Sequence, residues 1–324
     1  MIRLSAGTAA CLGLAGNKMD AYPTTAYLLS GRRCLMKCSF CPQGVGDKET
    51  LNRLGRISWP EYAWVDVKKA FKQAEEAGIE RVCLQSVRHE DGIETLLGQI
   101  KRLTTELSIP LSLSAWIRDK DEAKTLFAAG VERMSISIDV INAEAFRKIK
   151  GGLQQKRLDL LLNCAEMFPN KMSTHLICGL GETEYEALSM IDKLNQASVT
   201  IALFAFIPLR GTDLENAEPP ALDSYRRIQA GYYLLRNKAM TFTDFKFIKG
   251  RLSSCGLMKS ELADILSRGE AFETSGCPGC NRPYYNERPG RTIYNYHRPL
   301  SMDEIETALR DLRLENYAPV GGSR

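Results

Sequence analysis

Three cysteines near the start of the chain stand at a spacing that suits an iron–sulfur cluster. Cys34, Cys38 and Cys41 follow the pattern C-x3-C-x2-C, directly after the apolar run Thr24–Leu29. Three thiolates on one short loop can hold three irons of a [4Fe–4S] cube and leave its fourth iron open. The amino and carboxylate groups of S-adenosylmethionine (SAM) can chelate that iron, and one electron from the cluster then cleaves the sulfonium to a 5′-deoxyadenosyl radical. The spacing therefore predicts radical chemistry on SAM.

Zinc is the alternative occupant of such a loop. A structural zinc site usually takes four Cys or His ligands in two close pairs, and the forty residues after Cys41 contain neither residue type. The spacing therefore favours the cluster over zinc.

The elements that must position this loop alternate along the chain. Short runs rich in Val, Ile, Leu and Thr predict strands, and the amphipathic stretches between them predict helices, the first over Pro60–Ala77. Such units form parallel strands with right-handed crossovers, and no G-x-G-x-x-G follows the first strand, so we expect an α/β fold, an open (β/α)6 partial barrel of the TIM type. In such barrels the C-terminal ends of the strands carry the chemistry. The predicted strands are Thr24–Leu29, Arg81–Ser86, Leu111–Trp116, Arg133–Ile138, Ser173–Cys178 and Val199–Ile207.

Composition and charge narrow the class of protein. The net charge of +4 is too small to indicate nucleic-acid binding, and the chain lacks an apolar run long enough for a membrane span. Ten cysteines without a recognisable secretory leader are typical of a reducing compartment and of metal binding. We therefore expect a cytoplasmic enzyme with no nucleic-acid or membrane partner.

A second cysteine group follows the barrel. The pattern changes past Ala239, so we expect a barrel over residues 1–239 and a C-terminal extension over residues 240–324 that carries an auxiliary metal or cluster site. Cys277 and Cys280 form a C-x2-C pair, and Cys255 is the predicted third ligand. A structural zinc would be a closed site, whereas incomplete thiolate ligation suits a labile cluster that can give up sulfide, so we favour a second [4Fe–4S] cluster. The candidates for the fourth ligand are Cys11, a serine, Arg288 and Arg291.

The loop and its flanks resemble the radical SAM superfamily, in particular its biotin-synthase-like branch, over about residues 24–213. The resemblance implies that Phe40 lies beside the adenine of SAM. It implies that the backbone at Ile177 and Gly179 approaches the adenine, because glycine removes a side-chain clash. The resemblance also assigns Phe206, at the end of the sixth strand, to the SAM site.

Polar residues at the strand ends complete the SAM site that the resemblance implies. Gln85 stands where the family binds the SAM amino group, and Ser137 and Asp139 stand where it binds the ribose hydroxyls. Arg157 stands where an arginine pairs with the SAM carboxylate. We assign the chemical step to cluster-bound SAM. We assign no side chain as a catalytic acid, base or nucleophile. The scattered histidines are interpreted as structural: His89, His175 and His297.

Biotin synthases hold their second cluster with cysteines on barrel strands 2, 3 and 5. In this chain Cys83 matches the strand 2 position, but Ser112 and Ser173 stand at the other two. We therefore interpret Cys83 as a small buried residue.

Both ends of the chain resemble the biotin-synthase-related subunits of the two-component lipoyl synthase of archaea and some bacteria. The shared segments are the opening SAGTA at residues 5–9, the entry PTTAY at residues 23–27 and the tail CPGCNRPYYNERP at residues 277–289. The resemblance implies sulfur insertion at C6 and C8 of an octanoyl chain on a lysine of a lipoyl carrier protein. It implies a companion radical SAM subunit and an electron donor such as ferredoxin or flavodoxin. The alternatives are another biotin-synthase-like enzyme (small-molecule sulfur insertion, a maturase or a mutase) and a catalytically silent scaffold.

Overall fold

The computed structural model describes most of the chain, namely residues 1–16, 19, 21–31, 33–45, 52–74, 76–285, 287 and 290–313. No described helix combines the length and the apolar character that crossing a bilayer requires. The strands are β1 (Ile2–Leu4), β2 (Thr25–Ser30), β3 (Arg53–Leu54), β4 (Ile57–Ser58), β5 (Glu61–Tyr62), β6 (Arg81–Ser86), β7 (Leu111–Ser114), β8 (Arg133–Ser135), β9 (Met172–Cys178), β10 (Thr200–Ala205), β11 (Lys246–Ile248) and β12 (Arg251–Ser254). The α-helices are α1 (Ala6–Cys11), α2 (Pro42–Val45), α3 (Trp64–Ala70), α4 (Glu94–Glu106), α5 (Lys120–Ala128), α6 (Ala143–Ile149), α7 (Gln154–Met167), α8 (Glu184–Gln196), α9 (Leu222–Arg236), α10 (Lys259–Leu266) and α11 (Met302–Asp311).

One mostly parallel sheet organises the molecule. Its strands follow the order β10-β9-β8-β7-β6-β2-β1-β5. From β2 through β6 to β10, each strand pairs in parallel with the next one along the chain. All six residues of β2 are buried, as expected of a parallel strand that is covered on both faces. The predicted α/β class and the six successive parallel strands are confirmed.

The edge of the sheet beside β2 differs from the sequence-based expectation. β1 pairs antiparallel with both β2 and β5, and the backbone N–H of Leu4 donates to the Pro60 carbonyl at 3.1 Å. The start of the predicted helix Pro60–Ala77 therefore belongs to a strand, and α3 begins only at Trp64. Strands of two or three residues are too short to show the alternation that identifies a strand from sequence.

The chain after residue 239 packs against the barrel through α9. The Arg226 side chain is almost fully buried, and its guanidinium donates to the carbonyls of Tyr294 at 2.5 Å and Ile293 at 2.6 Å. The Tyr225 hydroxyl donates to Asn295 Oδ1 at 3.0 Å. These bonds anchor the segment that follows the second cysteine pair.

A buried ion pair joins α8 to α9. Arg227 Nη2 lies 2.7 Å from Glu184 Oε1, and both side chains are almost fully buried. Glu184 Oε2 also accepts the backbone N–H of Leu252 on β12 at 2.8 Å. Glu184 is the closest carboxylate to Arg227, and Asp223 Oδ2, at 3.2 Å from Arg227 Nη1, is a second partner at the edge of the pair.

We expect Glu184→Ala to lower the free energy of unfolding by about 3–5 kcal/mol, because it leaves the Arg227 charge buried without its main partner. The measurement is equilibrium urea denaturation. The matched control is Glu144→Ala on α6, which removes an exposed ion pair with Lys148 and should cost less than about 1 kcal/mol. Equal losses in the two variants would contradict this role of the buried pair.

Candidate active site

The three-cysteine loop leaves the C-terminal end of β2 and closes on α2. The Cys34 Sγ accepts hydrogen bonds from the backbone N–H groups of Met36 and Arg88, each at 3.4 Å. The Cys34 N–H donates to the Gln43 carbonyl at 3.1 Å. Backbone N–H groups aimed at a cysteine sulfur stabilise a thiolate ligand and tune an iron–sulfur cluster. The surroundings of Cys34 therefore suit a cluster ligand.

Gly44 allows the loop and α2 to approach each other. A Cβ at this position would collide with the backbone carbonyl of Met36 and lie 3.3 Å from the backbone nitrogen of Cys38. Burial raises the pKa of Cys38 to about 11 and the pKa of Cys41 to about 12 when no metal is present. Binding iron must therefore release protons from these thiols.

A cavity of ≈ 290 Å³ begins beside this loop and reaches into the barrel. Cys38 and Cys41 line it at the loop. Six of the eight residues that the sequence assigns to SAM also line it, and they are Phe40, Gln85, Ser137, Asp139, Ile177 and Phe206. The structure therefore gathers most of the predicted SAM site beside the predicted cluster, and this set of side chains fits a cofactor there.

The other two predicted SAM residues, Arg157 and Gly179, do not line the cavity. Arg157 Nη1 donates to the Ile117 carbonyl at 2.6 Å, and its guanidinium lies 5.2 Å from the ring of Trp116. Gly179 has φ +100°, and a Cβ there would lie 2.7 Å from Pro220 Cδ. Gly179 thus permits close packing against Pro220, and the role of both residues toward SAM stays a prediction.

Asp139 adopts an unusual backbone conformation beside the cavity. Its φ is +61°, which is rare for a residue with a side chain and is concentrated at functional sites. Asp139 Oδ2 accepts a hydrogen bond from Lys150 Nζ at 2.7 Å. The same Lys150 ammonium donates to the carbonyls of Ser137 at 2.9 Å and Ile138 at 3.1 Å. Lys150 therefore holds the segment that follows β8 and orients the Asp139 carboxylate.

We expect Asp139→Asn to weaken SAM binding by about 10- to 100-fold, because a hydrogen bond to a charged group contributes about 1.5–3 kcal/mol. Asparagine tolerates the left-handed backbone, so the variant removes the negative charge of residue 139 and keeps the backbone conformation. Equilibrium dialysis of SAM against protein with matched iron content is the measurement. Asp159→Asn, which changes an exposed carboxylate on α7, is the control, and identical affinities in the two variants would exclude Asp139 from the SAM site.

His175, interpreted from the sequence as a structural histidine, also lines the cavity. Its Nδ1 lies 3.0 Å from Ser137 Oγ, and its ring meets the ring of Phe204 edge-on at 5.4 Å. Burial lowers the pKa of His175 to about 4, so the ring is neutral near neutral pH. Its position two residues before Ile177 on β9, hence on the same face of the strand, is the signal that could have identified it.

A second group of thiols lines the same cavity, and it comprises Cys83 from β6 with Cys277 and Cys280 from the C-terminal segment. Burial raises the pKa of the Cys83 thiol well above its usual value, and the neighbouring Cys277 and Cys280 raise it further. The Tyr27 hydroxyl on β2 lies 3.1 Å from Cys280 Sγ. Cys83 is therefore part of a thiol cluster and not an isolated buried residue.

The structure places Cys255, the predicted third ligand, away from this group. Cys255 is buried in the main hydrophobic core and does not line the cavity, because β12, which it follows, packs against α8. Among the proposed fourth ligands, the Cys11 thiol lies 3.3 Å from the Ala77 carbonyl, Arg291 is exposed, and Arg288 lies outside the described residues. The pair Cys277 and Cys280 faces Cys83 instead.

No three His, Cys, Asp or Glu side chains among the described residues converge as a single metal ion requires. The thiolates around an iron–sulfur cube bind separate irons, so they stand farther apart than the ligands of one ion.

Comparison with known proteins agrees with this geometry. The sequence model of the radical SAM superfamily matches residues 28–194. The chain is 26% identical over 188 residues to a biotin synthase of Leptospira biflexa, covering 57% of this chain and 52% of that protein. It is 21% identical over 183 residues to a lipoyl synthase of Mycolicibacterium gilvum, covering 54% of each. The chain spans about half the length of the curated relatives it matches.

Two solved structures share the fold. Methylornithine synthase superimposes with a TM-score of 0.50 at 15% identity, covering 92% of this chain and 83% of that chain. HydG, a maturase of the [FeFe]-hydrogenase, superimposes with a TM-score of 0.54 at 13% identity, covering 65% of this chain and 50% of that chain. At these identities the similarity shows the fold alone.

Proposed function

Because the chain belongs to the radical SAM superfamily, we propose that it inserts sulfur into unactivated C–H bonds as one subunit of a two-component lipoyl synthase. The substrate would be an octanoyl chain on a lysine of a lipoyl carrier protein, with sulfur inserted at C6 and C8. The partners would be a companion radical SAM subunit and an electron donor such as ferredoxin or flavodoxin. Relatives named biotin synthase and lipoyl synthase support this branch of the superfamily.

One observation carries the proposal: a single cavity is lined by two separate groups of thiols. Cys38 and Cys41 lie at the end where the loop leaves β2, and Cys277 and Cys280 enter from the C-terminal segment. A radical enzyme that inserts sulfur needs both a radical source and a sulfur source within reach of one substrate carbon. The auxiliary [4Fe–4S] cluster that we propose at the second group is that sulfur source.

The bound [4Fe–4S] cluster and SAM would supply the 5′-deoxyadenosyl radical that removes a hydrogen atom from the substrate carbon. The side chains of this chain hold and shield that reaction. Ile177, Phe204 and Phe206 give the cavity an apolar wall, which suits an alkyl chain and excludes water from a reactive intermediate. Because His175 is neutral near neutral pH, it adds no charge to that wall.

The test is sulfur incorporation under anaerobic conditions. The reconstituted chain is mixed with SAM, a reductant, a companion subunit and an octanoylated carrier protein, and the carrier is analysed by mass spectrometry. We expect 5′-deoxyadenosine together with an octanoyl chain that has gained sulfur. Formation of 5′-deoxyadenosine without sulfur on any octanoyl carrier would favour the alternative, a radical enzyme that acts on a small molecule. Absence of 5′-deoxyadenosine would favour the scaffold.

A further inference from the structure

A short segment, residues 275–282, closes the open side of the barrel and carries thiols into it. Ser275 Oγ accepts the backbone N–H of Leu203 on β10 at 2.9 Å. Asn281 Oδ1 accepts the backbone N–H of Thr24, immediately before β2, at 3.0 Å, and its Nδ2 donates to the Tyr22 carbonyl at 3.0 Å. The segment thus bridges the last and the first of the six parallel strands, at the N-terminal end of β2 and opposite the three-cysteine loop.

We propose that Cys83 on β6 is the third thiolate, with Cys277 and Cys280, of a second iron–sulfur cluster that this segment builds inside the barrel. The inference rests on the proposed function, since the cluster is the sulfur source named there, and it assigns the ligands. Cys83 and Cys280 pack in one small cluster with Tyr27, Trp59 and Tyr285. One ligand therefore comes from the barrel and two come from the segment that closes it.

Charge provides an independent argument for an anionic group at this place. Arg282 lines the cavity, with its guanidinium 4.2 Å from the Phe204 ring, and its Nη2 donates to the Ser275 carbonyl at 2.7 Å. Among the described residues, no carboxylate forms an ion pair with Arg282. The Arg282 side chain is half-buried, and a cation held partly away from water without an anion is costly. Cys277 and Cys280 line the same cavity as Arg282, and an anionic cluster on those thiolates would supply the missing negative charge.

Tyr27 and Arg282 would lie beside the cluster without binding its irons, and both would influence its reduction potential. The Tyr27 hydroxyl, 3.1 Å from Cys280 Sγ, can donate a hydrogen bond to a thiolate sulfur. The Arg282 guanidinium places a positive charge beside the same ligands. Both features shift the reduction potential of a cluster toward more positive values, because they stabilise the more negative reduced state.

The ligand assignment is tested in the Cys34/Cys38/Cys41→Ala background, in which only the second site can hold iron. After anaerobic reconstitution with iron and sulfide, the background protein should retain about four irons. Adding Cys83→Ala should remove most of that iron and sulfide. Adding Cys255→Ala, the matched control for loss of a buried thiol outside the cavity, should leave both unchanged. Electron paramagnetic resonance of the reduced samples follows the same cluster directly.

Opposite results would overturn the assignment. Iron that survives Cys83→Ala and disappears with Cys255→Ala would make Cys255 the ligand and would leave the proposed function intact. A background protein that binds zinc and no iron would remove the second cluster, and with it both proposals. If Cys83→Ala fails to fold, Cys83→Ser provides a nearly isosteric variant, with the circular dichroism melt as the check.

The position of the Arg282 charge beside the cluster is tested separately, by the midpoint potential of that cluster. Arg282→Met should move the midpoint potential of the second cluster to more negative values in a redox titration followed by paramagnetic resonance. Arg282→Lys keeps the positive charge and should restore most of the shift. Equal potentials in wild type and Arg282→Met would show that the guanidinium does not face the cluster.

Discussion

Replacement of Cys34, Cys38 or Cys41 by alanine is expected to abolish the formation of 5′-deoxyadenosine from SAM. Each thiolate would bind a different iron, so the loss of one leaves the cube incompletely held and without a defined open iron. We expect a decrease of more than about 100-fold, because even the loss of a supporting residue around a metal site costs 10- to 100-fold. The measurement is chromatographic quantification of 5′-deoxyadenosine after anaerobic reconstitution and reduction.

The control for this prediction is Cys164→Ala. Cys164 is fully buried on α7 and does not line the cavity, so its loss removes a thiol that lies outside the cavity. This variant should retain most of the SAM cleavage. Normal turnover by any one of the three loop variants would refute the assignment of the loop to the radical cluster.

Local sequence pattern was sufficient to predict the parallel part of the sheet and the first cysteine loop. The strand prediction Arg81–Ser86 coincides with β6, and Thr24–Leu29 differs from β2 by one residue at each end. All of β2 is buried, and Val82 and Leu84 are the buried residues of β6, so the apolar residues of these strands reflect their environment directly. The loop is equally local, because its three cysteines are separated only by a few residues. Features encoded within one segment are therefore the ones that sequence reasoning recovers.

Contacts between distant segments were not accessible in the same way. Cys255 precedes the C-x2-C pair closely in sequence, yet β12 directs it into the core. Cys83 lies far away in sequence and still reaches Cys277 and Cys280, because residues 275–282 cross the open side of the barrel. No local periodicity encodes that crossing. The composition of the second thiol group depends on where the C-terminal segment docks, which only the tertiary structure reveals.

The double variant Cys277→Ala/Cys280→Ala is expected to separate the two reactions that the proposed function combines. SAM cleavage should be largely retained, because the three-cysteine loop, Asp139 and Lys150 are unchanged. Sulfur transfer to the octanoyl chain should fall by more than about 100-fold, as expected when a metal centre loses ligands. Substitution is preferable to deletion of residues 240–324, because the buried Arg226 on α9 donates to the carbonyls of Ile293 and Tyr294 in that segment and would lose both.

Both products are measured in the same reaction, so the ratio of sulfur inserted to 5′-deoxyadenosine formed is independent of the fraction of active enzyme. In wild type that ratio reports coupled turnover, and in the double variant it should fall toward zero while 5′-deoxyadenosine still accumulates. Cys255→Ala is the matched control and should keep the wild-type ratio, because its thiol lies in the core and not in the cavity. An unchanged ratio in the double variant would mean that the inserted sulfur does not come from these thiols or from anything they hold. A loss of both products would mean that the C-terminal segment also supports the SAM site. The reason would be that residues 275–282 close the same cavity in which SAM is predicted to bind.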